Sequence, residues 1–122
     1  MNSSKDLKQI EALQQVIQKF CQERDWDQFH LPKDLAIGIS TEANELLDLF
    51  RFKSDAEILS KLEAVDYKTK VEHELADVFF FVLRFAQMNQ INLEQALKNK
   101  LEQNAAKYPV DLAKGSNKKY NE

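Results

Sequence analysis

Residues 67–89, YKTKVEHELADVFFFVLRFAQMN, hold neither glycine nor proline and read as one long helix. Val78, Phe79, Phe80, Phe81, Val82, Leu83 and Phe85 make it apolar almost all the way round. A helix of that kind is buried on more than one side, so the stretch predicts a helical bundle that also self-associates. Arg84 interrupts the run, which is far too short to cross a bilayer, and no membrane segment is expected.

Working outward, Pro32 is placed to open a helix reaching about Phe52, since a first-turn proline sacrifices no hydrogen bond. Leu35, Ile39, Ala43, Leu46, Leu49 and Phe50 form its apolar face, with Gly38 inside it. Ser54-Asp55-Ala56-Glu57 has the form of a capping box and opens a short helix to about Glu63. Upstream, Leu7, Ile10, Leu13, Ile17 and Phe20 predict a first helix over about 5–24. Asn92, with Gln95 three residues on, caps a last helix to about Lys107, and Pro109 stops it. The remaining residues read as an ordered or semi-ordered basic tail. The expected fold is all-α, of four-helix-bundle type, with an additional short helix and that tail. One domain over 1–122 is expected, with a bundle over about 5–107 and a tail over about 108–122.

Composition agrees. The chain of 122 residues has only 2 glycines and 2 prolines, which disfavours a sandwich or barrel, and its 43% hydrophobic content is enough for a core. A net charge of −3 argues against duplex nucleic acid as the main partner. The charge is uneven: Lys107, Lys114, Lys118 and Lys119 outnumber Asp111 and Glu122 at the C-terminal end, leaving the body acidic. The single cysteine, Cys21, has no internal disulfide partner, no leader pattern opens the chain, and a cytoplasmic setting is expected.

The informative residues are acids placed where acids are costly. On the helix opened by Pro32, Glu42 falls within the apolar face and Glu45 at its edge; on the long helix, Glu74 falls between Phe81 and Phe85, with Asp77 beside it. Each pair is spaced i, i+3 and projects from one patch of its helix. If the two helices pack face to face, four carboxylates converge, and a divalent cation would relieve their repulsion. Oxygen ligation without Cys or His suits Mg²⁺ or Mn²⁺ rather than Zn²⁺. A di-iron bundle would need Glu-x-x-His, which neither His30 nor His73 completes. The competing reading is that these acids make salt bridges to lysines and arginines on neighbouring helices. Trp26, Phe29, His30 and Phe52 flank the first acidic helix with aromatic surface, while Lys100, Asn104 and Lys107 share one face of the last helix.

Several motifs in order carry a resemblance. Glu42-x-x-Glu45 followed by Glu74-x-x-Asp77 resembles the paired motif of the all-α nucleoside triphosphate pyrophosphohydrolases, the MazG-like superfamily. Arg24-Asp25-Trp26-x-x-Phe29-His30-x-Pro32-Lys33-x-Leu35, the segment 42–52, Glu74 to Val78, Asn104-x-x-Lys107-Tyr108-Pro109, Lys114-Gly115-Ser116 and Lys119-Tyr120 are similar to its dCTP pyrophosphatase branch. The similarity covers about residues 7–122.

The resemblance implies Mg²⁺-dependent hydrolysis of a deoxynucleoside triphosphate to monophosphate and pyrophosphate, serving nucleotide-pool house-cleaning. It also implies a homo-oligomer, commonly a tetramer made as a dimer of dimers. Glu42, Glu45, Glu74 and Asp77 would be the metal ligands, with Glu45 or Glu42 also orienting the attacking water. Trp26 and His30 match base-pocket residues and Lys100 and Asn104 match nucleotide contacts. Lys107, Tyr108, Lys114, Lys119 and Tyr120 match a tail associated with phosphate. Two positions depart from the pattern: Phe52 stands where a tryptophan closes the base pocket, and Phe81 where a tyrosine is common. The first keeps a stacking face but loses area and an N–H donor, which loosens selectivity for cytosine. Broader dNTP use, including dATP or modified nucleotides, and a non-catalytic nucleotide- or protein-binding bundle are the alternatives.

Overall fold

Proline 32 takes up the position its fixed φ favours, at the first turn of the helix Pro32–Asp48. This helix is α2 in the computed structural model, which describes the backbone of residues 2–122 and the side chains of 9–122. The described residues form α1 (Asn2–Glu23), a 3-10 turn (Asp27–Phe29), α2, α3 (Asp55–Lys61), α4 (Val65–Met88), α5 (Leu93–Lys107) and α6 (Val110–Ala113), with no strand among them. The all-α expectation is met. Two compact units make up the chain, Met1–Gln90 and Ile91–Glu122.

In the first unit α2 packs along α4, and α1 lies against α4. The α2–α4 approach is set by Gly38: a Cβ built there would stand 2.5 Å from two carbons of the Phe81 ring and 2.9 Å from a third. The ring occupies the space that glycine leaves. Leu35 of α2, Leu83 and Ala86 of α4 and Cys21 of α1 are buried, and Phe80 packs edge-on to both Phe81 and Phe20, at 5.2 and 6.3 Å. The predicted α2 face is partly covered, with Leu35 buried, Ile39, Leu46, Leu49 and Phe50 half-buried, and Ala43 exposed. On α1, Ile10 and Ile17 are half-buried while Leu13 and Phe20 are largely exposed; Leu7 lies outside the described side chains.

The cap signals hold to the residue. Ser54 Oγ accepts from the Glu57 N–H at 3.2 Å and Glu57 Oε1 accepts from the Ser54 N–H at 3.4 Å, a complete capping box. Asn92 Oδ1 accepts from the Gln95 N–H at 3.0 Å. Boundaries differ elsewhere. α2 stops at Asp48 instead of Phe52, because the Leu49 carbonyl accepts the Tyr67 hydroxyl of α4 and the chain turns, placing Phe52 at φ 65°. α3 ends at Lys61 rather than Glu63, α4 begins at Val65, and the second unit gains the short turn α6 after Pro109.

The outer face of α4 is unpartnered within the described residues. Leu75, Phe79, Ala76, Val78, Val82 and the exposed Glu72 line an open apolar groove of about 500 Å³. No helix of the described residues is long and apolar enough to cross a membrane.

Candidate metal centre

The Gly38–Phe81 contact sets the register of the site. Glu42 is four residues after Gly38 and Asp77 four before Phe81, so antiparallel packing of α2 on α4 brings the two acidic patches together. Glu42, Glu74 and Asp77 each offer a carboxylate oxygen, and these oxygens lie within 4.8 Å of one another. Glu42 and Glu74 are half-buried and Asp77 is exposed. Burial pushes the Glu42 carboxyl above the usual range, and the charges of Asp77, Glu74 and Glu45 push it in the same direction. Glu45 is exposed and lies outside the close trio, although its charge reaches Glu42.

Repulsion between two such charges is on the order of 3 kcal/mol at an effective dielectric near 20, before solvent screening. The salt-bridge alternative does not supply the relief: among the described residues, the ion pairs involve none of Glu42, Glu45, Glu74 or Asp77. A set of carboxylate oxygens with no ion-pair partner among the described residues is a donor set that fits a hard divalent cation.

The aromatic connection is built by hydrogen bonds. Trp26 N–H donates to the Cys21 carbonyl at 3.0 Å, and Asp25 takes up φ 56°, folding the chain back on α1. Trp26 then stands edge-on to Phe20 at 5.5 Å and to His30 at 6.4 Å. Phe52 does not join them in an aromatic cluster; it is 95% exposed, with the Arg51 guanidinium 5.1 Å from its ring centroid.

In the second unit the tail folds into a basic hollow of about 210 Å³, lined by Lys107, Tyr108, Ser116, Lys118, Lys119 and Tyr120 among others. Tyr108 and Tyr120 pack edge to face at 5.9 Å, and the Lys107 ammonium lies 5.0 Å over the Tyr120 ring. Lys114 and Lys100 are exposed and do not line this hollow, and Asn104 is half-buried on α5. Glu122 also lines it, accepting from the Lys119 N–H at 2.9 Å.

The MazG-like family model matches residues 37–122, a span that holds all four acids. The chain belongs to the MazG-like family. It is similar to dCTP pyrophosphatase 1 of Rattus norvegicus, 34% identical over 111 residues, covering 91% of this chain and 65% of the rat protein. The human dCTP pyrophosphatase 1 is 32% identical over 113 residues, covering 93% of this chain and 66% of the human protein. The chain thus spans just under two thirds of these relatives' length. A pyrophosphatase of Archaeoglobus fulgidus, known from a crystal structure, is 38% identical with a TM-score of 0.77, covering 83% of this chain and 93% of that one.

Two features of this MazG-like chain escaped the sequence reading. Arg84 looked only like a break in an apolar run, yet it is buried and bonded to Asp27, His30 and Gln87. Lys118 and Ser116 belonged to the basic tail motif without a role of their own, yet they line its hollow. A cation at the centre of a hydrophobic stretch, with an Asp and a His in the preceding aromatic connection, was the available signal for the first.

Proposed function

We propose that this chain is a Mg²⁺-dependent nucleoside triphosphate pyrophosphohydrolase that converts a deoxynucleoside triphosphate, with dCTP or a dCTP-like nucleotide favoured, into its monophosphate and pyrophosphate. The observation that carries the reading is the convergence of Glu42, Glu74 and Asp77 with no ion pair to a lysine or arginine among the described residues. The similarity to the rat and human dCTP pyrophosphatase 1 supports the nucleotide class.

Glu42, Glu45, Glu74 and Asp77 would hold Mg²⁺, or Mn²⁺ in its place. When bound, the ion supplies positive charge to phosphate oxygens and acidifies a water. Glu45 or Glu42 would also orient the water that attacks the α-phosphorus and accept its proton. The bond to the β-phosphate then breaks and pyrophosphate leaves. Lys107, Lys119, Tyr108 and Tyr120 of the basic hollow, with Lys114, Lys100 and Asn104, would take the negative oxygens of the nucleotide. Trp26 and His30 would hold the base, with Phe52 contributing a stacking face. The exposed apolar faces of α4 and α1, including Phe79, Leu75, Leu13 and Val16, fit a homo-oligomer, most simply a dimer of dimers. The whole chain would work as one MazG-like domain, in a cytoplasmic setting that suits a single reduced cysteine.

A second reading is favoured by Phe52. A smaller ring in place of tryptophan, 95% exposed, encloses a base weakly, which suits a broad-specificity enzyme acting on several canonical or modified dNTPs. A panel of dCTP, dATP, dTTP, dGTP, ribonucleotides and modified cytidine nucleotides with Mg²⁺, scored for monophosphate and pyrophosphate, tests both readings. Preference for dCTP supports the first and near-equal rates support the second. Absence of release from every nucleotide, together with no heat of Mg²⁺ binding, would leave a non-catalytic bundle.

A further inference from the structure

Arg84 is 1% exposed near the C-terminal end of α4, the helix that also carries Glu74 and Asp77. A guanidinium keeps its charge even there, so its N–H groups must be satisfied by protein. Nη2 donates to the Asp27 carboxylate, Nη1 donates to Gln87 Oε1 at 2.8 Å, and Nε donates to Nδ1 of His30 at 2.9 Å. The arginine is itself fixed from α1. Gln87 donates to the Gln14 carbonyl at 2.8 Å, and Gln14 donates to the Leu83 carbonyl at 3.0 Å. Asp27 clamps the other side, since its carbonyl accepts the His30 backbone N–H at 3.1 Å.

The bond to Nδ1 decides the state of the ring. An imidazole nitrogen that accepts a hydrogen bond carries no proton, so the neutral ring must carry its proton on Nε2. Among the described residues Nε2 has no hydrogen-bond partner. A proton on Nδ1 would set two N–H donors against each other, and a second proton on the ring would also place an imidazolium beside a buried guanidinium.

We infer that Arg84 is a positioning residue that locks His30 as the neutral Nε2–H tautomer, so that the site presents one fixed hydrogen-bond donor to an acceptor atom of the nucleotide base. This rests on the reading of Trp26 and His30 as base contacts. The preferred partner is a base edge rich in acceptors, such as the carbonyl oxygen and unprotonated ring nitrogen of cytosine. The groups facing the ring are Arg84 from α4, Asp27 from the 3-10 turn and the Trp26 indole. Burial and the Arg84 charge hold the ring below the ordinary histidine range, against a smaller opposing effect of Asp27, so the donor persists through neutral pH.

The test begins without nucleotide. The chain has 2 histidines, so His73→Asn leaves His30 as the sole imidazole for nitrogen-labelled NMR. The expected spectrum is that of an Nε2-protonated ring across neutral pH; an Nδ1-protonated ring, or a tautomeric mixture, overturns the proposal. In Arg84→Met the ring should fall to a mixture, and KM for dCTP should rise about tenfold, the worth of one hydrogen bond, with kcat changed less than about threefold. A folded Arg84→Met chain with unchanged KM overturns the link to the base. Should Arg84→Met not fold, the His73→Asn spectrum decides alone. If the parent chain turns over no nucleotide, the proposed activity fails while the ring spectrum still stands or falls by itself.

Discussion

Gly38→Ala is the substitution whose outcome the structure fixes most narrowly. On helix propensity alone, replacing a mid-helix glycine by alanine stabilises by about 0.8–1.0 kcal/mol. Here the new Cβ would meet Phe81 Cδ1 and Cε1 at 2.5 Å and Cγ at 2.9 Å, separations that atoms do not tolerate. Because Cγ is among them, turning the ring about its own axis does not clear the clash; the ring or α2 must move. Overpacking of this kind costs about 1–3 kcal/mol, so the net effect is a destabilisation of roughly 0–2 kcal/mol. For a chain of 122 residues that is a fall in Tm of up to about 8 °C. Thermal unfolding by circular dichroism of Gly38→Ala, Phe81→Leu and the double variant gives the assay. The double variant should recover stability relative to the sum of the singles, because the smaller side chain admits the methyl. A Gly38→Ala chain more stable than the parent, or strictly additive effects, would refute the packing of α2 on α4 and with it the register of the acids.

Glu42→Gln should raise the Tm of the metal-free protein at neutral pH while removing stabilisation by Mg²⁺, and should cut turnover on the order of 100-fold or more. The sign follows from a carboxyl held above its unfolded range: the folded state binds the extra proton, so stability is lost as pH rises from the unfolded value through the folded one. Parent and variant melts at pH 4.5 and pH 7.5 should therefore differ more at the higher pH. His30 acts oppositely. Its ring is held below the unfolded value, so its contribution to stability is present above about pH 6.5 and lost as pH falls toward the folded value. A pH series of melts on the parent and on His30→Gln should show that loss in the parent alone.

Much of this was legible in the sequence, for physical reasons that differ by element. Pro32 acts through its fixed φ, the Ser54–Glu57 box and Asn92 through local hydrogen bonds, and each falls where it was expected. The convergence of Glu42, Glu74 and Asp77 follows from helical periodicity once α2 and α4 pack face to face. The end of α2 was not legible, because the carbonyl of Leu49 is taken by the hydroxyl of Tyr67, eighteen residues away. Phe52 consequently left the helix and stands in solvent. Arg84 was hidden for a related reason. Its partners Asp27 and His30 come from a connection more than fifty residues upstream, and only the fold brings them to it.

Whether these carboxylates direct water at the α-phosphorus is decided by hydrolysing dCTP with Mg²⁺ in heavy-oxygen water and weighing the products. The label should appear in dCMP with none in pyrophosphate, and Glu74→Gln should lose the reaction. Label in pyrophosphate, release of orthophosphate, or full activity of Glu74→Gln would contradict it.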